Sequence, residues 1–120
     1  MVLLIDDDRT IRGMIGAVLR REGLHLDTAS DGNEAIEKLR SGNYGAVLLD
    51  LMLRRTHGLE VLRFLKNERA ELLRRTVIVS AVSDQALRRL TERDLVWGVV
   101  SKPFDIRHLV DVVRACREQS

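Results

Sequence analysis

Residues 2–8 read Val2-Leu3-Leu4-Ile5-Asp6-Asp7-Asp8: four apolar residues that run without a break into three carboxylates. Four residues are too few for a helix and suit a strand, and a run with no polar alternation suits a strand covered on both faces. The same pattern returns at Ala46-Val47-Leu48-Leu49-Asp50 and at Val77-Ile78-Val79-Ser80, and a further short apolar run, Gly98-Val99-Val100, leads into Ser101-Lys102 and also suits a strand. A fifth run, Leu24-His25-Leu26-Asp27-Thr28, alternates instead and reads as a half-covered edge strand.

Between these runs the apolar spacing is helical. Ile11, Met14, Ile15, Val18 and Leu19 make one face, with Gly23 where a helix stop belongs. Ala35, Ile36 and Leu39 make a second face, closed by Gly42; Leu59, Leu62 and Leu65 make a third. Val82, Leu87 and Leu90 make a thin fourth, and Ile106, Leu109, Val110, Val113 and Cys116 make the last. Strand and helix alternating five times predict an α/β fold: a doubly wound, five-stranded parallel sheet with helices on both faces. Placing the alternating strand at the edge gives the flavodoxin-like order 2-1-3-4-5. Strands 1 and 3 then meet at the switch point, where such sheets bind ligands beyond the strand carboxyl ends.

The bulk properties agree with one domain over residues 1–120. Apolar residues make up 45% and charged residues 32%, and twenty basic against eighteen acidic residues leave +2. That balance gives no reason to expect direct binding to nucleic acid or membrane, and four aromatics are few for stacking on bases. One cysteine excludes an internal disulfide and fits a reducing compartment. No apolar run approaches the roughly 18 residues of a membrane span. The start turns acidic at once, unlike a signal peptide, so a cytoplasmic location is expected.

The chemistry lies at the carboxyl ends of the strands. Strand 1 runs into Asp6, Asp7 and Asp8, strand 3 into Asp50, strand 4 ends at Ser80, and strand 5 runs into Lys102-Pro103. Carboxylates brought together repel by about 4 kcal/mol per pair at ~4 Å and an effective dielectric of ~20. Either their pKa values rise or a cation sits among them. Oxygen-only ligands suit Mg²⁺. A lysine suits a phosphoryl oxygen, a serine hydroxyl can hydrogen-bond another, and a carboxylate can accept a phosphoryl group as nucleophile. The set predicts metal-assisted phosphoryl transfer to an aspartate.

Read together, these stretches resemble the receiver domains of bacterial two-component response regulators. The resemblance covers nearly the whole chain. Besides the stretches above, it is carried by Ala29-Ser30-Asp31-Gly32-Asn33-Glu34-Ala35, Leu51-Met52, Gly58-Leu59 and Ser101-Lys102-Pro103-Phe104. It implies that Asp50 accepts the phosphoryl group from a sensor histidine kinase or phosphotransfer protein. It further implies that Asp7, Asp50 and the Met52 carbonyl ligate Mg²⁺, with Asp6 holding the metal through water. Ser80 and Lys102 would contact the phosphoryl group. An output domain or effector protein, or a second copy in a homodimer, would read the state from the face formed by Asp84–Arg93, the last strand and the last helix. Such a domain is not an enzyme beyond its own phosphorylation and dephosphorylation.

The chain departs from the family pattern in three places. The loop Leu53-Arg54-Arg55-Thr56-His57-Gly58 lacks the usual proline, Leu95-Val96 stand where Gly-Ala is usual, and Val99 takes the place of a tyrosine or phenylalanine. Two other readings compete. One is a receiver-like module that signals by contact without phosphorylation. The other is a haloacid-dehalogenase-like phosphatase, because Asp6-Asp7-Asp8-Arg9-Thr10 fits Asp-x-Asp-x-Thr with Asp6 as nucleophile; that reading leaves Asp50 without a role. Asp8 reads as a helix cap rather than a ligand, Cys116 as inert core, and the arginine pairs as solvated faces. His25, His57 and His108 share no metal spacing.

Overall fold

The computed structural model describes residues 1–51, 58–80, 94–102 and 104–118, with Ser80 described by its backbone alone. Five strands, β1 (Val2–Ile5), β2 (Leu26–Ala29), β3 (Ala46–Asp50), β4 (Thr76–Ser80) and β5 (Gly98–Ser101), form one parallel sheet in the order β2-β1-β3-β4-β5. This is the expected order, with the alternating strand at one edge. The helices are α1 (Arg9–Arg21), α2 (Gly32–Ser41), α3 (Gly58–Glu68), the short α4 (Ala70–Leu73) and α5 (Ile106–Glu118). The expected helical segment from Val82 to Leu90, the Leu53–His57 loop and Met52 lie outside the described residues.

Successive side chains of a strand point to opposite faces, and the core divides accordingly. Leu3, Ile5, Val47, Leu49 and Ile78 pack with Leu39 of α2, Leu62 and Leu65 of α3, and Leu72 of α4. Val2, Leu4, Leu48, Val77 and Val79 pack on the other face with Ile15 and Leu19 of α1, and Leu109, Val113 and Cys116 of α5. Right-handed crossovers explain the split: the direction of travel reverses after β2, so α2 and α3 fall on the face opposite α1. Met14 is the exception to the expected α1 stripe; it is 50% exposed.

Both ends of α1 are chemically specified. The Asp8 carboxylate accepts from the N–H groups of Thr10 and Ile11, the N-cap expected of it. At the other end Gly23 has φ +84°, its N–H donates to the Arg20 carbonyl, and the Leu24 N–H donates to the Leu19 carbonyl. These are the paired bonds of a Schellman stop, with Leu24 and Leu19 as its hydrophobic contact. The stop displaces β2: the strand starts at Leu26, not at Leu24, because Leu24 serves the helix end.

The open edge of β2 is occupied by side chains. His25 and Ala29 direct their carbonyls to β1, so Thr28, of opposite parity, directs its N–H and carbonyl outward. The Asp27 carboxylate accepts the Thr28 N–H at 2.9 Å, and the Lys38 ammonium donates to the Thr28 carbonyl. Lys38 also pairs with Asp27 at 2.8 Å, and the Tyr44 hydroxyl donates to the other Asp27 oxygen at 3.0 Å. Both outward groups of this edge residue are thereby satisfied, and fewer groups remain for another strand to pair with.

Candidate functional site

Strands β1 and β3 are neighbours, with Ile5 paired to Leu49. One position further on each strand brings Asp6 beside Asp50. The Asp6 N–H donates to the Ala29 carbonyl at 3.1 Å, which extends the β1–β2 ladder by one residue and fixes where Asp6 stands. Asp6 is 2% exposed and Asp50 6% exposed, while Asp7 is half-buried. Carboxylate oxygens from Asp6, Asp7 and Asp50 all lie within 4.8 Å of one another. Three hard oxygen donors with no imidazole or thiolate among them form a set that suits Mg²⁺.

Lys102 follows the last residue of β5, with β4 between it and β3. Its ammonium lies 3.1 Å from Asp50 Oδ2 and 3.9 Å from Asp6 Oδ2. Ser80 closes β4, paired with Ser101, so its backbone lies at the strand end between Asp50 and Lys102.

The electrostatics of Asp6 record the crowding. Burial raises its pKa above the ordinary aspartate value, the Asp8 N–H bonded to its Oδ1 opposes that, and the charges of Asp50 and Asp7 add to the rise against the ammonium of Lys102. A cation among the three carboxylates would relieve what the two neighbouring anions impose.

Backbone packing holds the start of α3 against the end of β3. The Gly58 N–H donates to the Leu51 carbonyl at 3.3 Å. A Cβ at Gly58 would lie 2.5 Å from Leu51 Cα and 2.8 Å from its oxygen, so this backbone-to-backbone approach requires glycine.

Of the residues singled out from sequence, Asp6, Asp7, Asp50 and Lys102 come together. Ser80 is placed by its backbone, and Met52 lies outside the described residues. Asp8 turns to the α1 amides. Cys116 is buried in the core, its thiol pushed up to about 11 by burial, and it donates to the Arg75 carbonyl at 3.2 Å. Arg75 corrects the expectation for its pair: it is half-buried and donates to the Tyr44 carbonyl. Sequence reading missed Arg12, whose guanidinium donates to the Asp6 carbonyl at 2.8 Å. Only its place one turn into α1 behind the acidic run could have marked it.

Comparison with known proteins settles the family. The family model of the response regulator receiver domain matches residues 2–114. The chain belongs to the response regulator receiver domain family. Receiver domains are signalling modules of two-component systems, and membership removes the ground for the phosphatase reading. Among curated relatives, the transcriptional regulatory protein ResD of Bacillus subtilis is 33% identical over 95% of this chain and 46% of its own length. The response regulator MprA of Mycolicibacterium vanbaalenii is 32% identical over 95% of this chain and 48% of its own. This receiver chain thus spans about half the length of the curated relatives it matches. Among solved structures, the receiver domain of the Francisella response regulator 1452 superposes with a TM-score of 0.87 at 25% identity, covering 98% of this chain and 96% of that one. TrrA of Thermotoga maritima, solved in complex with Mg²⁺ and BeF, gives 0.83 at 30% identity over 96% of each chain. No described helix of this receiver is long and apolar enough to cross a membrane.

Proposed function

We propose that residues 1–120 form one receiver domain that accepts a phosphoryl group on Asp50 from a phosphohistidine of a sensor kinase or phosphotransfer protein. One observation carries the reading: an ammonium stands 3.1 Å from the Asp50 carboxylate, in a pocket where two further carboxylates converge. Asp6 and Asp7, with Asp50 and the Met52 carbonyl, would hold Mg²⁺, Asp6 acting through water. When bound, that ion supplies positive charge against the developing charge on the phosphoryl oxygens.

In the transfer an Asp50 oxygen attacks phosphorus, the O–P bond forms, and the N–P bond breaks. The electron pair of that bond returns to the imidazole, which leaves as a neutral ring when its other nitrogen carries a proton. Lys102, already against Asp50, turns to a phosphoryl oxygen, and the Ser80 hydroxyl takes another. Asp50 is favoured over Asp6 as nucleophile because the ammonium that would receive the phosphoryl oxygen stands 3.1 Å from Asp50 and 3.9 Å from Asp6. The new charge is read, in the cytoplasm, by an output domain, an effector or a second copy at the face formed by residues 84–93, β5 and α5.

Acetyl phosphate with Mg²⁺ tests the reading. The intact mass should rise by one phosphoryl group in the wild type and stay unchanged in Asp50→Asn or when Mg²⁺ is chelated. No uptake by the wild type from acetyl phosphate or a phosphorylated kinase would leave the module that signals by contact alone. Uptake by Asp50→Asn but not by Asp6→Asn would make Asp6 the nucleophile.

A further inference from the structure

The segment that carries Asp6 and Asp7 is held at several points. The Asp6 N–H is tied to Ala29, the Asp8 N–H is tied to Asp6 Oδ1, and the Asp8 side chain is committed to the α1 amides. A further tie comes from within α1: Arg12 Nη1 donates to the Asp6 carbonyl at 2.8 Å. That carbonyl belongs to the peptide joining Asp6 to Asp7. Rotation about the Asp6 Cα–C bond turns this peptide plane and swings the Asp7 Cα, and with it the carboxylate, relative to Asp6 and Asp50. Arg12 is half-buried, and its guanidinium is rigid and planar, so the bond confers direction as well as charge.

From this we infer that Arg12 is a positioning residue for the divalent-cation site: it fixes the Asp6–Asp7 peptide and thereby aims the Asp7 carboxylate at the ion. The inference rests on the reading of the acidic cluster as a Mg²⁺ site and adds a residue outside the ligand set. It also predicts a sign that simple electrostatics reverses. A guanidinium bonded to the segment that carries two of the carboxylates repels a divalent cation, so as a charge alone its removal would tighten Mg²⁺ binding. As a positioning group its removal loosens binding, and losing a group that orients metal ligands costs roughly tenfold or more in affinity.

The experiment is a MgCl₂ titration of the whole chain followed by amide NMR at Asp7 and Asp8, for the wild type, Arg12→Ala, Arg12→Gln and Asp7→Asn. The rest of each spectrum reports whether the fold is kept. The glutamine removes the charge and is too short to span to the Asp6 carbonyl, so it repeats the test should the alanine variant fail to fold. The inference predicts a Mg²⁺ dissociation constant raised roughly tenfold in the folded Arg12 variants, with the amide shifts of β3 and β4 unchanged in the metal-free state. An unchanged or lowered constant in a folded Arg12 variant overturns it, even if the melting temperature falls, because Arg12 would then be a prop or a charge and no more. Wild-type protein that binds no Mg²⁺ overturns the metal reading and this inference with it. Binding lost in Asp7→Asn but untouched in the Arg12 variants overturns this inference alone.

Discussion

Asp6 stands almost fully buried beside two other carboxylates, and its raised pKa means that the fold holds its charged form at a cost. Asparagine at that position keeps an oxygen for the Asp8 N–H and removes the charge. Asp6→Asn is therefore expected to raise the stability of the metal-free protein at pH 7 by about 1 kcal/mol, the usual size of a single stabilising substitution. Urea denaturation measures it, and a variant less stable than wild type would show that Lys102 and the Asp8 N–H already compensate the charge. The convergence of Asp6, Asp7, Asp50 and Lys102 was legible in the sequence because strand-end position alone brings them together. Arg12 was not, because its partner is a main-chain carbonyl and nothing in a residue string says which carbonyls need a donor. At Gly58 the limit is steric. Gly58→Ala puts a methyl group onto the Leu51 backbone and should destabilise the protein by about 1–3 kcal/mol, the usual range for overpacking. Calorimetry checks this, and an unchanged melting temperature would mean that α3 can slide away from β3 freely.

The strands buried on both faces were legible from three or four apolar residues each, since no other element buries so short a run entirely. The start of β2 was not, because Leu24 belongs to the hydrophobic contact of the α1 stop and merely continues the strand's alternation. The short α4 was missed for want of length: four residues carry no periodicity, though Leu72 and Leu73 are buried. Arg69, just before it, donates to the carbonyls of Leu39, Arg40 and Gly42 at the end of α2, some thirty residues away, where no local pattern can point. The β2 edge makes a pH prediction. Burial works to raise the Asp27 pKa, but the bonds from Lys38, Tyr44 and the Thr28 N–H outweigh it and hold the carboxyl below its ordinary value. A depressed acid lends its stability in full above its unfolded value of ~3.9 and loses it as pH falls through the folded one. Burial and the Asp27 carboxylate push the Tyr44 phenol up to about 12, so its contribution is present below ~10 and is lost as pH rises toward that value. Urea midpoints followed across pH should fall less steeply at acid pH in Asp27→Asn and at alkaline pH in Tyr44→Phe. Curves parallel to the wild type would remove the cluster from the stability of the edge.

At the scale of the molecule, the α/β alternation and the strand order were both readable, because right-handed crossovers leave few ways to cover a sheet with one alternating strand. The acidic cluster and the facing lysine then sit at the end of the sheet where the β1–β3 switch point opens. Millimolar Mg²⁺ should raise the melting temperature of the wild type by binding the folded state alone, and Asp7→Asn should abolish the rise. A variant that keeps it would take Asp7 out of the metal set. Under the proposed function, the path from site to partner would run past β5. Val99 pairs with Ile78 and packs against the core under α2 and α3, and as a β-branched residue it has little freedom to swing. Phosphorylation should therefore change hydrogen-exchange protection over residues 81–95, with Val99 unchanged; a response confined to α1 would place the output face elsewhere. Whether Asp50 carries the phosphoryl group can be read chemically. Borohydride reduces an aspartyl phosphate to homoserine, so protein phosphorylated with acetyl phosphate and Mg²⁺, reduced and sequenced by mass spectrometry, should show homoserine at position 50 and aspartate at positions 6 and 7. Homoserine at position 6 or 7, with position 50 still aspartate, would move the nucleophile to the end of β1 and leave Asp50 as a ligand alone.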